Sequence, residues 1–270
     1  MALAARTSGA EEVCRYSGTT SYNGQVSVET RASTANGETT IGVTTRLSAK
    51  SFGLIEWRYW LEEISVWRNG EMRSIGINHR YVFGGRIQRQ QWDVFTAEPA
   101  GMSASRVQAK SLGDFQDKHH GFVSHWDLAS FGLPWLAEYR AAAPERRTDL
   151  DLPRAAMPAR IGPPLALAFY WVRWQAKDGQ TVPIFLPGFK LDPRANATMT
   201  AIGVETGGVQ HLRATIRHPS LSADKPSAGD AWVTADHRLA RVTLDAHGAR
   251  GNAMGDVRLE ECRGDTGGGL

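Results

Sequence analysis

Two strand-like runs meet at Asn69-Gly70, and this dipeptide limits the fold more than any other feature of the sequence. Both central residues of a type I′ turn need positive φ, so Asn-Gly predicts a two-residue β-hairpin. A regular ladder around the turn predicts three cross-strand pairs: Arg68 with Glu71, Trp67 with Met72, and Ile64 with Ile75. One face of this hairpin is mostly apolar and the other is mixed. We therefore expect an antiparallel sheet with one side on a core.

Alternation of apolar and polar residues recurs in segment after segment between residues 14 and 110, and strand patterns resume after residue 165. Period-two alternation is typical of half-buried antiparallel strands. The apolar positions change parity between Leu61 and Ile64, which predicts a β-bulge or a break at Glu62-Glu63. The sequence as a whole predicts an all-β fold. We expect a single large, strongly curled antiparallel sheet or open barrel.

A proline-rich segment, residues 128–164, interrupts the strand pattern and contains six prolines. It also contains large apolar residues, among them Trp135, Leu136 and Tyr139, which a detached linker between two halves would not need. We therefore expect an insertion that packs on the sheet. The predicted organisation is one β domain over residues 13–262 with flexible ends at 1–12 and 263–270.

Composition excludes several classes of protein. With 41% hydrophobic and 22% charged residues, the chain is typical of a globular protein. The net charge is only +3 and the arginines are scattered, so we expect no nucleic-acid partner. The longest apolar stretch, residues 163–172, is shorter than the ~18 residues of a membrane-spanning helix, so we expect no transmembrane segment.

The two cysteines, Cys14 and Cys262, lie near opposite ends of the chain. In a reducing compartment they would be two unrelated core residues; in an oxidising one they would form a disulfide that joins the first strand to the last. Ala2-Leu3-Ala4 resembles the small-residue end of a cleaved signal peptide. We therefore expect the disulfide, and a mature exported protein that is periplasmic or secreted.

The segment 65–85, SVWRNGEMRSIGINHRYVFGG, follows Ile41-Gly42 and precedes Ser124-His125-Trp126. Together these motifs resemble uncharacterised exported bacterial β-protein families, and AWVTADHRLARVTLDAHG (231–248) resembles their final hairpin. The resemblance implies a curled antiparallel sheet, export to the periplasm and no established activity. A more distant similarity to lipocalin-like and lipoprotein-carrier folds implies an apolar ligand in the concave face.

The histidine cluster of the chain lies between Asp114 and Asp127. Imidazoles and carboxylates in one loop can bind zinc, but no pair has the His-x-His spacing that would set two rings on one strand face. We therefore expect no metal, and a polar rim at the mouth of a pocket. The candidate ligand-binding residues are His119, His120, His125, Trp126, Trp135 and Trp60.

Familiar catalytic and cofactor signatures are absent: there is no nucleophile elbow, phosphate loop or dinucleotide fingerprint. We therefore expect no cofactor and a non-catalytic exported protein. It would be either a carrier of an apolar small molecule or an accessory subunit with a protein partner in the cell envelope. The alternative is a barrel-interior enzyme of hydratase, isomerase or cyclase type. Its acid and base would come from Asp117, His119, His120, His125 or Glu62.

Overall fold

The computed structural model describes residues 10–51, 54–69, 71–98, 101–108, 147–149, 177–183, 196–217, 227–248 and 251–264. The first part of the chain forms β1 (Ala10–Thr20), a 3-10 turn (Ser21–Asn23), β2 (Gly24–Ala35), β3 (Glu38–Ser51), β4 (Ile55–Arg68), β5 (Glu71–Phe83), β6 (Arg86–Glu98) and β7 (Gly101–Gln108). The later strands are β8 (Arg147–Asp149), β9 (Thr181–Pro183), β10 (Asn196–Glu205), β11 (Val209–Arg217), β12 (Ser227–Val233), β13 (Leu239–Gly248) and β14 (Gly251–Gly264).

The described strands form one antiparallel sheet in the order β8-β7-β6-β5-β4-β3-β2-β1-β14-β13-β12-β11-β10-β9. The sheet therefore consists of two meanders, β1–β8 and β9–β14, that meet at a central seam between β1 and β14. The predicted all-β, antiparallel class is confirmed. β1 begins at Ala10 and β14 ends at Gly264, so the two seam strands extend slightly beyond the expected domain limits of 13–262. Within the described residues, no helix has the length and apolarity to span a membrane.

The predicted disulfide is confirmed, and it lies on this seam. Cys14 on β1 stands directly opposite Cys262 on β14, and the two are bonded with their Cα atoms 4.0 Å apart. The bond joins residues separated by 248 positions in the sequence. It therefore ties the first described strand to the last in the middle of the sheet.

The hairpin predicted at Asn69 is confirmed, and its predicted register holds for the first two pairs but is wrong beyond them. Asn69 has φ of 54°, and the pairs Arg68–Glu71 and Trp67–Met72 are present. Beyond them the register shifts by one residue, because Arg73 is the extra residue of a β-bulge. As a result, Ile64 stands opposite Gly76 and not opposite Ile75.

The bulge has a packing consequence. A one-residue slip exchanges the two faces of a strand. Ile77 therefore pairs with Glu63, lies on the same face as Glu63 and is completely buried. The bulge or break predicted at Glu62-Glu63 is wrong, since β4 is one strand and pairs without interruption with β3 through that point. The change of parity in β4 instead reflects burial of both faces, from Leu61 to Ser65.

One face of the sheet, the core face, holds most of the buried apolar side chains. Directly opposed residues lie on the same face, so the successive pairs Tyr16–Val28 and Val28–Thr45 follow this face from strand to strand. Its most deeply buried apolar side chains are Cys14, Tyr16, Ala32, Ile41, Val43, Ile77, Met199, Leu212 and Leu239. The opposite face, the polar face, is therefore available for polar and aromatic groups with a function.

Candidate functional site

A row of directly opposed residues crosses the polar face from β11 through the seam to β5. We call it the arginine–tryptophan row. In sheet order its members are His211, Trp232, Arg241, Arg258, Ser17, Ser27, Arg46, Trp60 and Arg80. In one half Trp60 lies between Arg46 and Arg80, in the other Trp232 lies between His211 and Arg241, and two serines separate the halves.

A groove of about 570 Å³ lies on the polar face over β1–β4. We call it the Arg46 groove. Its wall includes Ser27, Arg46, Ser48, Arg58 and Trp60. Ser27 and Trp60 stand directly opposite Arg46, while Ser48 stands opposite Arg58. Regular antiparallel pairing of β2, β3 and β4 therefore brings two guanidinium groups, two hydroxyls and an indole to one place.

The two arginines of the groove differ in their electrostatic environment. Arg58 Nη2 donates to Glu56 Oε2 at 2.7 Å, and this hydrogen bond lowers the pKa of Glu56. Arg46 is exposed and makes no hydrogen bond or ion pair with another described residue. The Arg58 charge is therefore compensated within the groove, and the Arg46 charge is not.

Trp60, the one predicted ligand-binding residue that the structure describes, forms part of the groove wall and is half-buried. The guanidinium carbon of Arg80 lies 5.9 Å from the centroid of its ring, within cation–π range, and Arg80 itself is buried. Arg80 comes from β5, whereas Arg46 comes from β3 on the other side of β4. The indole is thus supported from the β5 side and borders the groove on the β3 side.

The second tryptophan of the row, Trp232, is enclosed by its neighbours. His211 stacks on it with ring centroids 4.5 Å apart, and the guanidinium carbon of Arg241 lies 4.6 Å from the ring centroid. These two residues come from β11 and β13, on either side of β12, and the indole Nε1 donates to Glu205 at 2.8 Å. Trp232 therefore supports the sheet, and its ring is not available to a ligand.

Two carboxylates, Asp256 and Asp230, form hydrogen bonds with the two residues that enclose Trp232. Asp256 accepts two hydrogen bonds from Arg241, at 2.8 and 2.6 Å, and these lower its pKa. Partial burial raises the pKa of Asp230, but hydrogen bonds from Arg213 and His211 outweigh burial, so the pKa lies below its ordinary value. A general acid at neutral pH needs a raised pKa. Both carboxylates are therefore ionised partners in ion pairs.

Two further groups of titratable residues lie in the described part of the sheet. Glu62 and Glu63 are buried on opposite faces of β4, so they do not form a carboxylate pair. The Glu12 carboxylate lies within 4.8 Å of the sulfurs of Cys14 and Cys262. A disulfide sulfur is not a thiolate, so in the oxidised protein this group offers a metal ion only the carboxylate.

The other predicted site residues, His119, His120, His125, Trp126 and Trp135, lie outside the described residues, as does Asp117. Of the insertion 128–164, the structure describes Arg147–Asp149, which pairs with β7 at one edge of the sheet. Sequence reasoning did not identify Arg46, Ser27 or Ser48. Period-two alternation puts Arg46 on the polar face, but only the register of β2–β4 brings it beside Trp60.

No family model matches the chain, and no curated protein is significantly similar to it in sequence. Among solved structures, it is similar to the crystal structure of a β-barrel-like protein of domain of unknown function DUF1849 from Brucella abortus. The TM-score is 0.55 and the identity 7%, over 95% of this chain and 98% of that chain. At this identity the likeness shows the fold alone. It confirms the predicted resemblance to an uncharacterised β-protein family at the level of the fold.

Proposed function

We propose that this chain is an exported, non-catalytic protein of the cell envelope that carries a small molecule. The observation that supports carriage most directly is the Arg46 groove. Its volume of about 570 Å³ falls within the ~300–1,000 Å³ of typical small-molecule sites. It also combines an aromatic surface with a few convergent polar groups, as such sites do. Trp60, a predicted ligand-binding residue, lines this groove and would provide the apolar contact.

Export is supported by the disulfide between Cys14 and Cys262. Disulfides persist in oxidising compartments and are rare where thiols are kept reduced. The bond joins residues separated by 248 positions, so it closes most of the chain into one loop and contributes to the stability of the whole fold. A periplasmic or secreted location is the one in which such a bond would be retained.

A second candidate function, an accessory subunit of an envelope complex, is favoured by the outer part of β10. Among the described residues, β9 pairs only with residues 196–198 of this strand, and Ile202 and Val204 are 49% and 73% exposed. Exposed apolar residues on an incompletely paired strand are suited to contact with another protein.

Native mass spectrometry of protein purified under gentle conditions from its own host distinguishes the two candidates. We expect an intact mass that exceeds the sequence mass, and a return to the sequence mass after denaturation, with release of a small molecule. A stoichiometric protein partner without a small molecule would favour the accessory subunit. Protein that carries neither would contradict both candidates.

A further inference from the structure

We propose that the Arg46 groove binds an oxyanion, a carboxylate or a phosphate, that is attached to an apolar body. This inference rests on the proposed carrier function and specifies the chemistry of its ligand. The Arg46 guanidinium is exposed and unpaired among the described residues, although it borders a groove of ligand size. A guanidinium presents a planar fork of N–H donors that matches a carboxylate or phosphate.

The residues around Arg46 complete a donor set for such a group. Ser27 stands directly opposite Arg46 on β2, and the Cα atoms of directly opposed residues are about 4.5–5.5 Å apart. Ser48 lies two positions along β3, on the same face, opposite Arg58. Arg58 engages Glu56 through Nη2, and an arginine has five N–H donors in all. Two hydroxyls and a second guanidinium can therefore donate to the same anion.

Of the two described carboxylates beside the groove, Glu56 has a cationic partner, whereas Glu260 has a hydroxyl partner that leaves its negative charge in place. Glu56 is paired with Arg58, and Ser17 donates a short hydrogen bond to Glu260 at the seam side of the groove. The oxyanion should therefore lie at the Arg46 end, away from Glu260. A net charge of about one positive unit is left at that end, which suits a carboxylate or a phosphate ester.

The apolar body of the ligand would lie on Trp60. This indole stands directly opposite Arg46, and Arg80 supports it from the other side. The Trp232 half of the row provides the contrast, because Arg241 there is bound by Asp256 and His211 covers the indole. Only the Trp60 half therefore combines an uncompensated cation with an aromatic surface that borders a groove.

Calorimetric titration of the full chain, after removal of any bound lipid, tests this inference. The probes are laurate, dodecyl phosphate, dodecanol and inorganic phosphate, each below its aggregation concentration. We expect laurate or dodecyl phosphate to bind at least about tenfold more tightly than dodecanol and than inorganic phosphate, because a charge-assisted contact and an aromatic contact are both needed. The two charged amphiphiles distinguish a carboxylate ligand from a phosphate ligand.

Three variants assign the binding to the groove. Arg46→Gln should weaken binding of the charged amphiphile at least about tenfold, while Arg46→Lys should lose less because it keeps the charge. Arg217→Gln is the matched control: Arg217 is also exposed and unpaired among the described residues, but it lies on β11, away from the groove. It should bind like the wild type. Unchanged thermal unfolding would verify that each variant is folded.

Several results would overturn the inference: equal binding by Arg46→Gln and wild type, equal binding of dodecanol, or no binding of either charged amphiphile. Phosphate that binds as tightly as dodecyl phosphate would also overturn it, since Trp60 would then have no role. None of these outcomes touches the carrier function, which native mass spectrometry tests separately. A released ligand without an acidic group would refute the inference and leave the carrier function intact.

Discussion

Removal of the disulfide by a Cys14→Ala, Cys262→Ala double substitution should cost more stability than any other change on the seam. In the chain-entropy model, a cross-link that closes 248 residues lowers the entropy of the unfolded chain enough to stabilise the fold by about 5.5 kcal/mol at 25 °C. Alanine is preferred to serine because Cys14 is completely buried, and a hydroxyl there would need a hydrogen-bond partner. Urea unfolding followed by circular dichroism would measure the loss.

Reduction provides the control. Dithiothreitol should lower the unfolding midpoint of the wild type to near that of the double variant, and it should leave the double variant unchanged. The seam is otherwise held by a ladder of nine residue pairs between β1 and β14, with one register shift between Arg15 and Tyr16, so the native strands should stay paired. A loss below about 1 kcal/mol would show that the ends of the unfolded chain are already close together, and would refute the entropic argument.

Three further predictions concern packing and charge. Gly18→Ala should destabilise the protein by about 1–3 kcal/mol in thermal unfolding, because a Cβ there would overlap a backbone carbonyl of β14, whereas Gly255→Ala, with open space at its Cβ, should be nearly neutral. Deletion of Arg73 should remove the bulge and leave Ile77 opposite Glu63 in the core, so it should change stability little, whereas Ile77→Ala should cost about 2–5 kcal/mol. Because the pKa of Asp230 is lowered in the folded state, its contribution to stability is present above its ordinary value of 3.8 and is lost as the pH falls through the folded value. Asp230→Asn should therefore flatten this acid-side loss in urea unfolding measured from pH 7 to pH 2, and an unchanged pH profile would refute the assignment.

The hairpin at Asn69 shows how far local sequence rules reach. The turn and its first two pairs follow from the φ preferences of Asn-Gly and from a pair of opposite charges, which depend only on neighbouring residues. The predicted pair Ile64–Ile75 is wrong because the register beyond the second pair from the turn depends on which residues of β5 are buried. Ile77 enters the core only if an extra residue, Arg73, is accommodated as a bulge. A bulge of this kind has no strong local signature, so the alternation of polar and apolar residues cannot reveal it.

The arginine–tryptophan row could not be predicted from the sequence for a different reason. Its members come from nine strands, and a residue on β1 has no sequence relation to its partner on β14. The two cysteines were the one long-range signal, and they correctly predicted that the first and last strands are neighbours. A regular register from that contact would place Leu259 opposite Ser17, but a register shift between Arg15 and Tyr16 places Arg258 there instead, and the groove requires the pairing of β2, β3 and β4 as well.

Alternation along β3 and β4 separates the residues that hold the sheet together from those that form the groove. Thr45 and Leu61 are opposed on the core face, while Arg46 and Trp60, one position along each strand, are opposed on the polar face. A substitution at Arg46 therefore leaves the core unchanged, and a change in ligand binding can be interpreted as a change in the groove. The separation is weaker one strand farther on, because Arg80 on β5 is buried on the polar face behind Trp60. Truncation of Arg80 would remove support from the indole and buried contacts together, so Arg46 is the position at which binding and stability can be measured independently.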